Sequence, residues 1–281
     1  MSINLSNDLV QIFIDETHHI FQNEGGDLMG ACREKRVEGD RAQFPVLGSM
    51  ITQERTLGTK LPIQNKDHTP VVITTKNFTA SAMVDNFLQS QVNFDDRQET
   101  AKALAMSLAR RMDQLKIDAL TASATTKAVA NNVSGAADNL TFDAVRAAAR
   151  LLDDDGVPST DRYLVVSPSG LHHLFEDNQA SSMDFQNQKA LANGAGLVGD
   201  FYGFKVVMIG NRPDEGGLPL TGSARESYAF HKDALGMVMN MDMEVVIDRL
   251  PEYDADLVTG KLSANAKEID ARGIVKIATE E

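Results

Sequence analysis

Three groups of residues in this chain could bind a cofactor or a metal, and a glycine-rich segment comes closest to a known pattern. Residues 194–199 read Gly-Ala-Gly-Leu-Val-Gly and match G-x-G-x-x-G, which cradles the pyrophosphate of a dinucleotide. That chemistry requires a strand before the glycines and a helix after them. Here the polar run 186–193 precedes the glycines and a predicted strand follows them. We therefore interpret the segment as a flexible loop, with a nucleotide-dependent oxidoreductase as a remote alternative.

The histidine and aspartate groups do not have the spacing of metal sites. His18-His19 and His172-His173 are adjacent pairs, and adjacent side chains on a helix point to different faces. Residues 153–156 read Asp-Asp-Asp-Gly, without the alternating ligands and distant glutamate of a calcium loop. We interpret both groups as surface or hydrogen-bonded side chains. The sequence predicts no catalytic residue, no cofactor and no metal, so the chain is interpreted as a non-enzyme.

Composition limits the remaining classes of protein. The chain has 281 residues, a length that allows a sizeable core and predicts two domains. Its net charge is −13. Such an acidic chain does not present a nucleic-acid-binding surface along its whole length, although it can enclose nucleic acid without gripping it. Cys32 is the only cysteine, and we expect a reduced, buried thiol. We predict no signal peptide, no membrane-spanning segment and synthesis in the cytoplasm.

The most informative stretch is residues 41–84, which look extended but lack a core of their own. Residues 41–48 and 71–80 are rich in strand-forming side chains, and the connection between them is polar with scattered apolar residues. A two-stranded ribbon is at best marginally stable alone in water. We therefore predict that this arm lies on a neighbouring copy of the same chain.

The charge of the arm supports that prediction. Residues 41–66 contain four basic residues and one acidic residue, a net charge of +3, whereas the whole chain is strongly acidic. A basic arm on an acidic body favours docking between subunits. The predicted inter-subunit contact residues are Arg41, Arg55, Lys60 and Lys66.

Helical periodicity indicates the elements that must position this arm. A first helix is predicted over residues 7–24, ended by Gly25-Gly26. Asp96, with Glu99 three residues later, resembles a capping box and begins a long helix to about residue 119. At 1.5 Å per residue this helix is about 37 Å long, which suits a structural strut. Shorter helices are predicted after the cap Thr141 and from Pro168.

Apolar runs predict the remaining strands. Tyr163–Val166 is entirely apolar, which is typical of a buried central strand. Residues 27–40 are interpreted as a charged connector and residues 121–140 as a polar linker. The other predicted strands are 204–209, 227–230, 237–239, 244–247, 256–258 and 273–277.

The order of these elements resembles the major capsid proteins of tailed bacteriophages, which have the Hong Kong 97-type (HK97-like) fold. The resemblance extends over nearly the whole chain, because the segments occur in the order typical of that family. The segments that carry it are Asp161–Ser169 with Leu171–Leu174 (strand, Ser-Pro turn and helix), Asp200–Val207, Phe230–Leu235 with Glu244–Val246, and Ala271–Ile277.

The resemblance implies an α+β capsid fold with an N-terminal arm, an extended β-hairpin loop, a long spine helix, and peripheral and axial domains. The implied boundaries are residues 1–40 for the N-terminal arm, 41–80 for the extended loop, 81–139 with 240–281 for the peripheral domain and its spine helix, and 140–239 for the axial domain.

The function implied is self-assembly, as hexamers and pentamers, into an icosahedral head shell in the virion. The shell would enclose double-stranded DNA without sequence-specific binding. Its implied partners are a separate scaffolding protein, a portal and a decoration protein. The close alternative is an encapsulin-like bacterial compartment, which uses the same fold to hold a protein cargo. No inter-subunit crosslink is assigned, because one sequence does not identify its partner residues.

Overall fold

The structure, a computed structural model, describes residues 25–48, 50–58, 60, 63, 68–86, 95–130, 132, 139–176, 197–212 and 215–280. The predicted first helix over residues 7–24, the pair His18-His19 and Lys66 therefore lie outside the described residues. The first half of the glycine-rich segment, 194–196, lies outside them as well.

The described residues form three α-helices, two short 3₁₀ helices (Lys232–Ala234 and Ala271–Gly273) and thirteen strands. The helices are α1 (Asp96–Thr121), α2 (Phe142–Asp154) and α3 (Pro168–Glu176). The strands are β1 (Arg33–Arg36), β2 (Arg41–Leu47), β3 (His68–Thr74), β4 (Lys76–Asp85), β5 (Ala128–Val129), β6 (Arg162–Val166), β7 (Leu197–Phe201), β8 (Phe204–Met208), β9 (Leu220–Thr221), β10 (Ala224–His231), β11 (Leu235–Leu250), β12 (Ala255–Glu268) and β13 (Ile274–Glu280).

The strands form three sheets. A four-stranded sheet has the order β1-β11-β12-β4, and a seven-stranded sheet has the order β5-β13-β10-β6-β8-β7, with β9 beside β10. The third sheet is the hairpin of β2 and β3, which pair antiparallel from Arg41 opposite Thr74 to Leu47 opposite His68. This hairpin is the predicted extended loop.

Helix α1 packs along one face of the four-stranded sheet and forms the larger core with it. Its apolar side chains Leu108, Met112 and Leu115 are buried together with Leu262 and other residues of the strands. The absence of a side chain at Gly260 lets Leu108 reach the sheet, because an added Cβ there would lie 2.9 Å from Leu108 Cδ1. The long helix is confirmed, but its N-cap is Asp95, whose side chain accepts the N–H of Arg97.

Helix α2 packs against the seven-stranded sheet and closes the second core. The side chain of Thr141 caps the helix by accepting the N–H of Ala144, as the sequence predicts. Val145 and Leu152 on α2 are buried together with Leu164 on β6. Strand β6 lies inside the sheet between β10 and β8, so the prediction of a buried central strand is confirmed.

Among the places where the strand predictions differ from the structure, three concern residues 33–36, the arm and β11. Residues 33–36 of the predicted charged connector form β1, which pairs parallel with β11. The predicted second arm strand divides at Thr75, because its N–H and hydroxyl donate to the carbonyl of Asp40 and not to a strand ladder. The strands predicted at 237–239 and 244–247 are one strand, because β11 passes through two register shifts between Met239 and Glu244 without breaking.

Strands from different predicted domain segments pair within one sheet of the structure. Strand β13 lies in residues 240–281 of the predicted peripheral domain but pairs with β10 of the predicted axial domain. Strand β5, within the predicted linker, also joins that seven-stranded sheet through β13. The boundaries at 139–140 and 239–240 therefore remain a prediction. None of the described helices is long and apolar enough to cross a membrane.

Candidate assembly surface

The root of the β2-β3 hairpin packs against the four-stranded sheet, on the face opposite α1. Ala42 and Phe44 on β2 and Ile73 on β3 are buried against Val238 of β11. Val238 points away from α1, because its neighbours Met237 and Met239 lie in the core that the helix covers. The expectation that the arm cannot bury itself is therefore wrong for its root, which has a small core on the body.

Strand β1 holds this root in place with basic side chains. Lys35 donates from Nζ to the carbonyl of Gln43 at 3.3 Å. The cationic groups of Arg33 and Lys35 each lie 5.9 Å from the centroid of the Phe44 ring. Cation–π contacts at this distance add a modest attraction. The charged residues 33–36 are therefore part of the hairpin's support, a role that their polar sequence did not indicate.

The connection between β2 and β3 exposes apolar side chains to solvent. The side chain of Leu57 is fully exposed and Ile63 is 90% exposed. Monomeric soluble proteins rarely expose groups of large apolar side chains, and such groups are typical of protein–protein contacts. The exposed apolar residues of the hairpin are Leu47, Met50, Ile51, Leu57, Ile63 and Val72.

The structure separates the predicted contact residues into two places. Arg41 lies at the root, opposite Thr74, with its Nε 3.4 Å from Oδ2 of Asp40. Arg55 and Lys60 are exposed in the connection between β2 and β3. The six residue steps of β2 span about 20 Å, so Arg41 is not part of the same surface as Arg55 and Lys60.

Negative charge, opposite to that of the hairpin connection, is concentrated at the turn between β11 and β12, at one end of the four-stranded sheet. Residues 248–256 contain four acidic residues and one basic residue, a net charge of −3. Tyr253 in the turn is exposed, as are Met83 and Ile247 on the strands beside it. The acidic residues of this end are Asp248, Glu252, Asp254 and Asp256, of which Asp254 pairs with Arg249 and Asp256 with Arg97. A mixed acidic and apolar surface of this kind matches the basic and apolar connection of the hairpin.

A buried ionic cluster attaches residues 25–34 to α1, and the sequence reasoning did not find it. The carboxylate of Asp113 accepts backbone N–H groups from residues 26–28, and Arg212 lies 3.4 Å from it. Nζ of Lys116 donates to the carbonyl of Leu28 at 2.9 Å. Burial raises the pKa of the Asp113 carboxyl, while the N–H of Leu28 and the charge of Lys116 lower it. The sequence feature that could have indicated this close contact with α1 was Gly25-Gly26, which we interpreted only as the end of a helix.

The groups considered for chemistry have structural partners. His173 Nδ1 lies 3.2 Å from the carbonyl of Leu140. Asp153 binds the buried Arg162 at 2.6 Å, and Asp155 lies 2.6 Å from Nζ of Lys127. Residues 197–199 of the glycine-rich segment belong to β7, which pairs with β8, so the interpretation as a flexible loop is wrong for these residues and no helix follows the glycines. No group of metal-ligating side chains occurs within the described ranges.

Cys32 is buried, as predicted, and its environment disfavours the thiolate. Its side chain belongs to the core formed by α1 and the four-stranded sheet. Burial raises the pKa of the Cys32 thiol to about 11, and nearby Glu34 adds to this while Lys116 opposes it. A thiol with this pKa is a poor nucleophile at neutral pH. The residue is a packing residue.

The long helix across a four-stranded sheet, the second α/β layer and the projecting hairpin define an HK97-like capsid subunit. A comparison with protein families matches residues 5–281 to the family described as phage capsid protein. The chain belongs to that family. It is a major capsid protein, a structural protein of the phage head shell, and the family match supports this prediction over the encapsulin-like and oxidoreductase alternatives.

Solved structures with the same fold come from several phages. A subunit of the head of Helicobacter pylori bacteriophage KHP40 is 10% identical, with a TM-score of 0.77 and coverage of 94% of each chain. The capsid subunit of cyanophage P-SCSP1u is 18% identical (TM-score 0.74; 96% of this chain, 92% of that one). A chain of Mycobacterium phage Che8 is also 18% identical (TM-score 0.72; 94% and 95%). A search of curated proteins found no match.

Proposed function

We propose that this capsid protein assembles as hexamers and pentamers of an icosahedral head shell around a double-stranded DNA genome, and that the β2-β3 hairpin joins each copy to a neighbour. The single observation that carries the proposal is the projecting hairpin connection, which exposes large apolar side chains such as Leu57 and Ile63 away from the body. Such side chains gain about 1.5–3 kcal/mol each when they are buried. Repetition of that gain over every subunit of a closed shell stabilises the assembly.

Electrostatics supports a neighbouring copy as the surface on which the hairpin lies. Arg55 and Lys60 are in the exposed connection, and Lys66 follows them in the chain. The acidic end of the four-stranded sheet of a second copy would attract these cations and orient the approach. Arg41, at the root, would contact a neighbour separately, since its side chain is 68% exposed beside Asp40.

The net charge of −13 supports a container that does not grip its genome. An acidic inner surface repels DNA phosphates, which allows the genome to be released. We propose a separate scaffolding protein, a portal and a decoration protein as partners, and synthesis in the host cytoplasm before incorporation into the virion. The assignment of residues 1–40, 41–80, 81–139 with 240–281, and 140–239 to the four structural regions is part of this proposal.

Electron microscopy of the purified protein, and of a variant in which a short Gly-Ser linker replaces residues 50–63, tests the proposal. We expect uniform hollow shells from the parent protein. The shortened variant should remain a folded, soluble subunit that does not form shells, because its root core is intact. Thermal unfolding checks the fold of the variant. A parent protein that stays monomeric under all assembly conditions overturns the shell function, and shells from the shortened variant overturn the role of the hairpin.

A further inference from the structure

The edge strands of the described sheets differ in how they are protected from pairing with a further strand. Unprotected edges are templates for strand addition, and proteins block them with charges, prolines, bulges or short strands. All four residues of β1 are charged and exposed. The hairpin has Pro45 on β2 opposite Pro70 on β3. Strand β5 has two residues, and β7 has a register shift between Val198 and Asp200.

Strand β4 lacks each of these protections. It has ten residues and ends the four-stranded sheet, where it pairs with β12 in regular register from Lys76 to Asp85. The residues between those two ends contain no charge and no proline. In the part of the chain that the structure describes, no strand pairs along its other side. This edge can therefore accept a partner strand.

Alternate residues of β4 direct their backbone groups toward this outer side. The N–H of Asn86 donates to the carbonyl of Asp254 at 3.3 Å, so the even-numbered residues of β4 bond to β12. In an antiparallel ladder the other residues point their N–H and C=O groups away from the partner strand. Because Ser81 is the middle one of these outward-facing residues, they are arranged symmetrically about it. The outward-facing residues are Asn77, Thr79, Ser81, Met83 and Asp85.

We propose that the outer edges of β4 in two copies of the chain pair antiparallel about a two-fold axis, which joins their four-stranded sheets into one continuous sheet. The inference rests on the proposed function, because a closed icosahedral shell contains two-fold axes between its hexamers and pentamers. It adds a contact that is separate from that of the hairpin. A two-fold contact uses the same surface on both copies, and main-chain bonding to a free sheet edge is a recurrent mode of recognition.

The symmetry of the outward-facing residues fixes the register of the proposed pair. With Ser81 opposite Ser81 on the axis, Thr79 lies opposite Met83 of the second copy. Asn77 then lies opposite Asp85, so each outward-facing residue has a partner. The residues on either side of Ser81 are both alanine, so no bulky side chain obstructs the axis. The side chain of Met83, which is 56% exposed in the subunit, packs against Thr79 of the second copy.

The charges at the two ends of β4 favour a second β4 as the partner strand. Lys76 is exposed at the start of the strand and Asp85 at its end. Beside Asp85, the side chain of Asn86 donates to Asp254 of the acidic turn at 3.2 Å. In the antiparallel pair, Lys76 of each copy lies beside this acidic end of the other copy, so the attraction occurs twice in each contact. Like charges side by side, as a parallel pair would place them, destabilise a sheet. The strand is therefore complementary to itself in the antiparallel orientation.

A charge on the axis tests whether assembly needs the contact. In the full-length protein, Ser81→Lys would place two like charges directly opposite each other, and lysine is a residue that blocks natural sheet edges. Ser159→Lys is the matched control, the same change at an exposed loop position away from β4. We expect Ser81→Lys to yield at least tenfold fewer shells than the parent, with Ser159→Lys within twofold. Thermal unfolding checks that both variants fold. Parental yields from Ser81→Lys, or equal losses in the two variants, overturn the contact.

Cysteine crosslinking tests the partner strand and its register independently of assembly yield. Shells of Ser81→Cys would be oxidised or, separately, treated with a short bismaleimide. Residues paired by hydrogen bonds in an antiparallel ladder have Cα atoms about 5.5 Å apart, which is within the range of a disulfide. Thr79→Cys is the matched control on the same edge, because its two copies would lie about 14 Å apart, beyond that range. The native thiol of Cys32 is buried and does not compete.

We expect most Ser81→Cys subunits to form covalent dimers linked through residue 81, and Thr79→Cys subunits to remain monomers after oxidation. Intact shells in which neither reagent links residue 81 overturn the β4 contact and leave the shell function standing. Equal disulfide formation at positions 79 and 81 overturns it as well. A parent protein that forms no shells overturns the proposed function and this inference together.

Discussion

Asp113 accepts the backbone N–H of Gly26 on its Oδ2 atom at 2.8 Å, across 87 positions of sequence. Gly25 lies so close to α1 at this point that a Cβ added there would be 2.5 Å from the backbone nitrogen of Arg110. Three residues along the helix, Lys116 donates from Nζ to the carbonyl of Leu28 at 2.9 Å. The segment that leads into β1, and so into the support of the hairpin root, is therefore fixed on the long helix by two buried charges of opposite sign.

Removing the Asp113 carboxylate should strongly destabilise the subunit. Asp113→Ala leaves three backbone N–H groups without their acceptor and removes one of the two carboxylates that bind the buried Arg212 side chain, which among the described residues keeps only Asp27. Breaking a buried charged contact costs about 3–5 kcal/mol. For a chain of this size that corresponds to a fall in Tm of about 5–10 °C, measured by calorimetry. Lys102→Ala, which breaks an exposed pair on the same helix, should cost less than about 1 kcal/mol. Equal shifts for the two variants would contradict the cluster's role.

The thiol of Cys32 should make the subunit less stable in alkali. Its pKa in the folded chain is about 11 against 9.0 for an ordinary thiol, so the unfolded chain loses this proton first. The favourable contribution is complete below pH 9 and is lost as the pH rises to 11. At about 1.4 kcal/mol per pH unit, the free energy of unfolding falls by about 3 kcal/mol over this window.

Denaturant titrations of the parent and Cys32→Ala at pH 8, 9, 10 and 11 measure this effect. Other groups titrate equally in both proteins, so the difference between the two slopes isolates the thiol. A parallel pH dependence would show that Cys32 does not carry the effect. The buried thiol should also react with a thiol reagent at pH 8 only when the protein unfolds.

Mutations in the hairpin root and in its exposed connection should have different effects on the folded subunit. Ile73→Ala removes a buried side chain that is 1% exposed, which costs about 2–5 kcal/mol locally, whereas Leu57→Ala alters a side chain that contacts only solvent in the subunit. Hydrogen exchange should therefore accelerate in residues 41–47 and 68–74 for the first variant alone. Shell yield should fall for both, because we expect the root to position the connection and the assembled neighbour to bury Leu57. Unchanged assembly of Leu57→Ala would argue against apolar docking of the connection.

Local sequence signals predicted the elements that depend on local physics. Helix α1, the Thr141 cap and the buried strand β6 follow from helical spacing, side-chain capping and an apolar run, and none of these requires knowledge of a distant partner. The α+β class and the HK97-like architecture follow from their order along the chain. The basic hairpin was visible in the same way, as a local excess of positive charge.

The features that the sequence did not reveal depend on long-range partners. Strand β1 consists of four charged residues and is a strand only because β11 offers a parallel edge. The division of the arm at Thr75 depends on the carbonyl of Asp40, 35 residues away. Strand β11 looked like two strands because polar residues interrupt its apolar pattern. Pairing with β12 nevertheless continues from Leu235 to Leu250, so the strand is continuous. Tertiary hydrogen bonding decides all three.

Reversing the charge of the hairpin connection should slow assembly. In Arg55→Glu with Lys60→Glu, the connection would be repelled by the acidic end of the neighbouring sheet instead of attracted to it. The rate of shell formation, followed by light scattering, should fall by tenfold or more at low salt. The defect should narrow near 0.5 M salt, where screening shortens the reach of surface charge to a few ångströms. The matched control is Lys102→Glu with Arg150→Glu, an equal charge change at exposed positions on the body. Similar defects in both double variants would mean that net charge, and not the placement of Arg55 and Lys60, controls the rate.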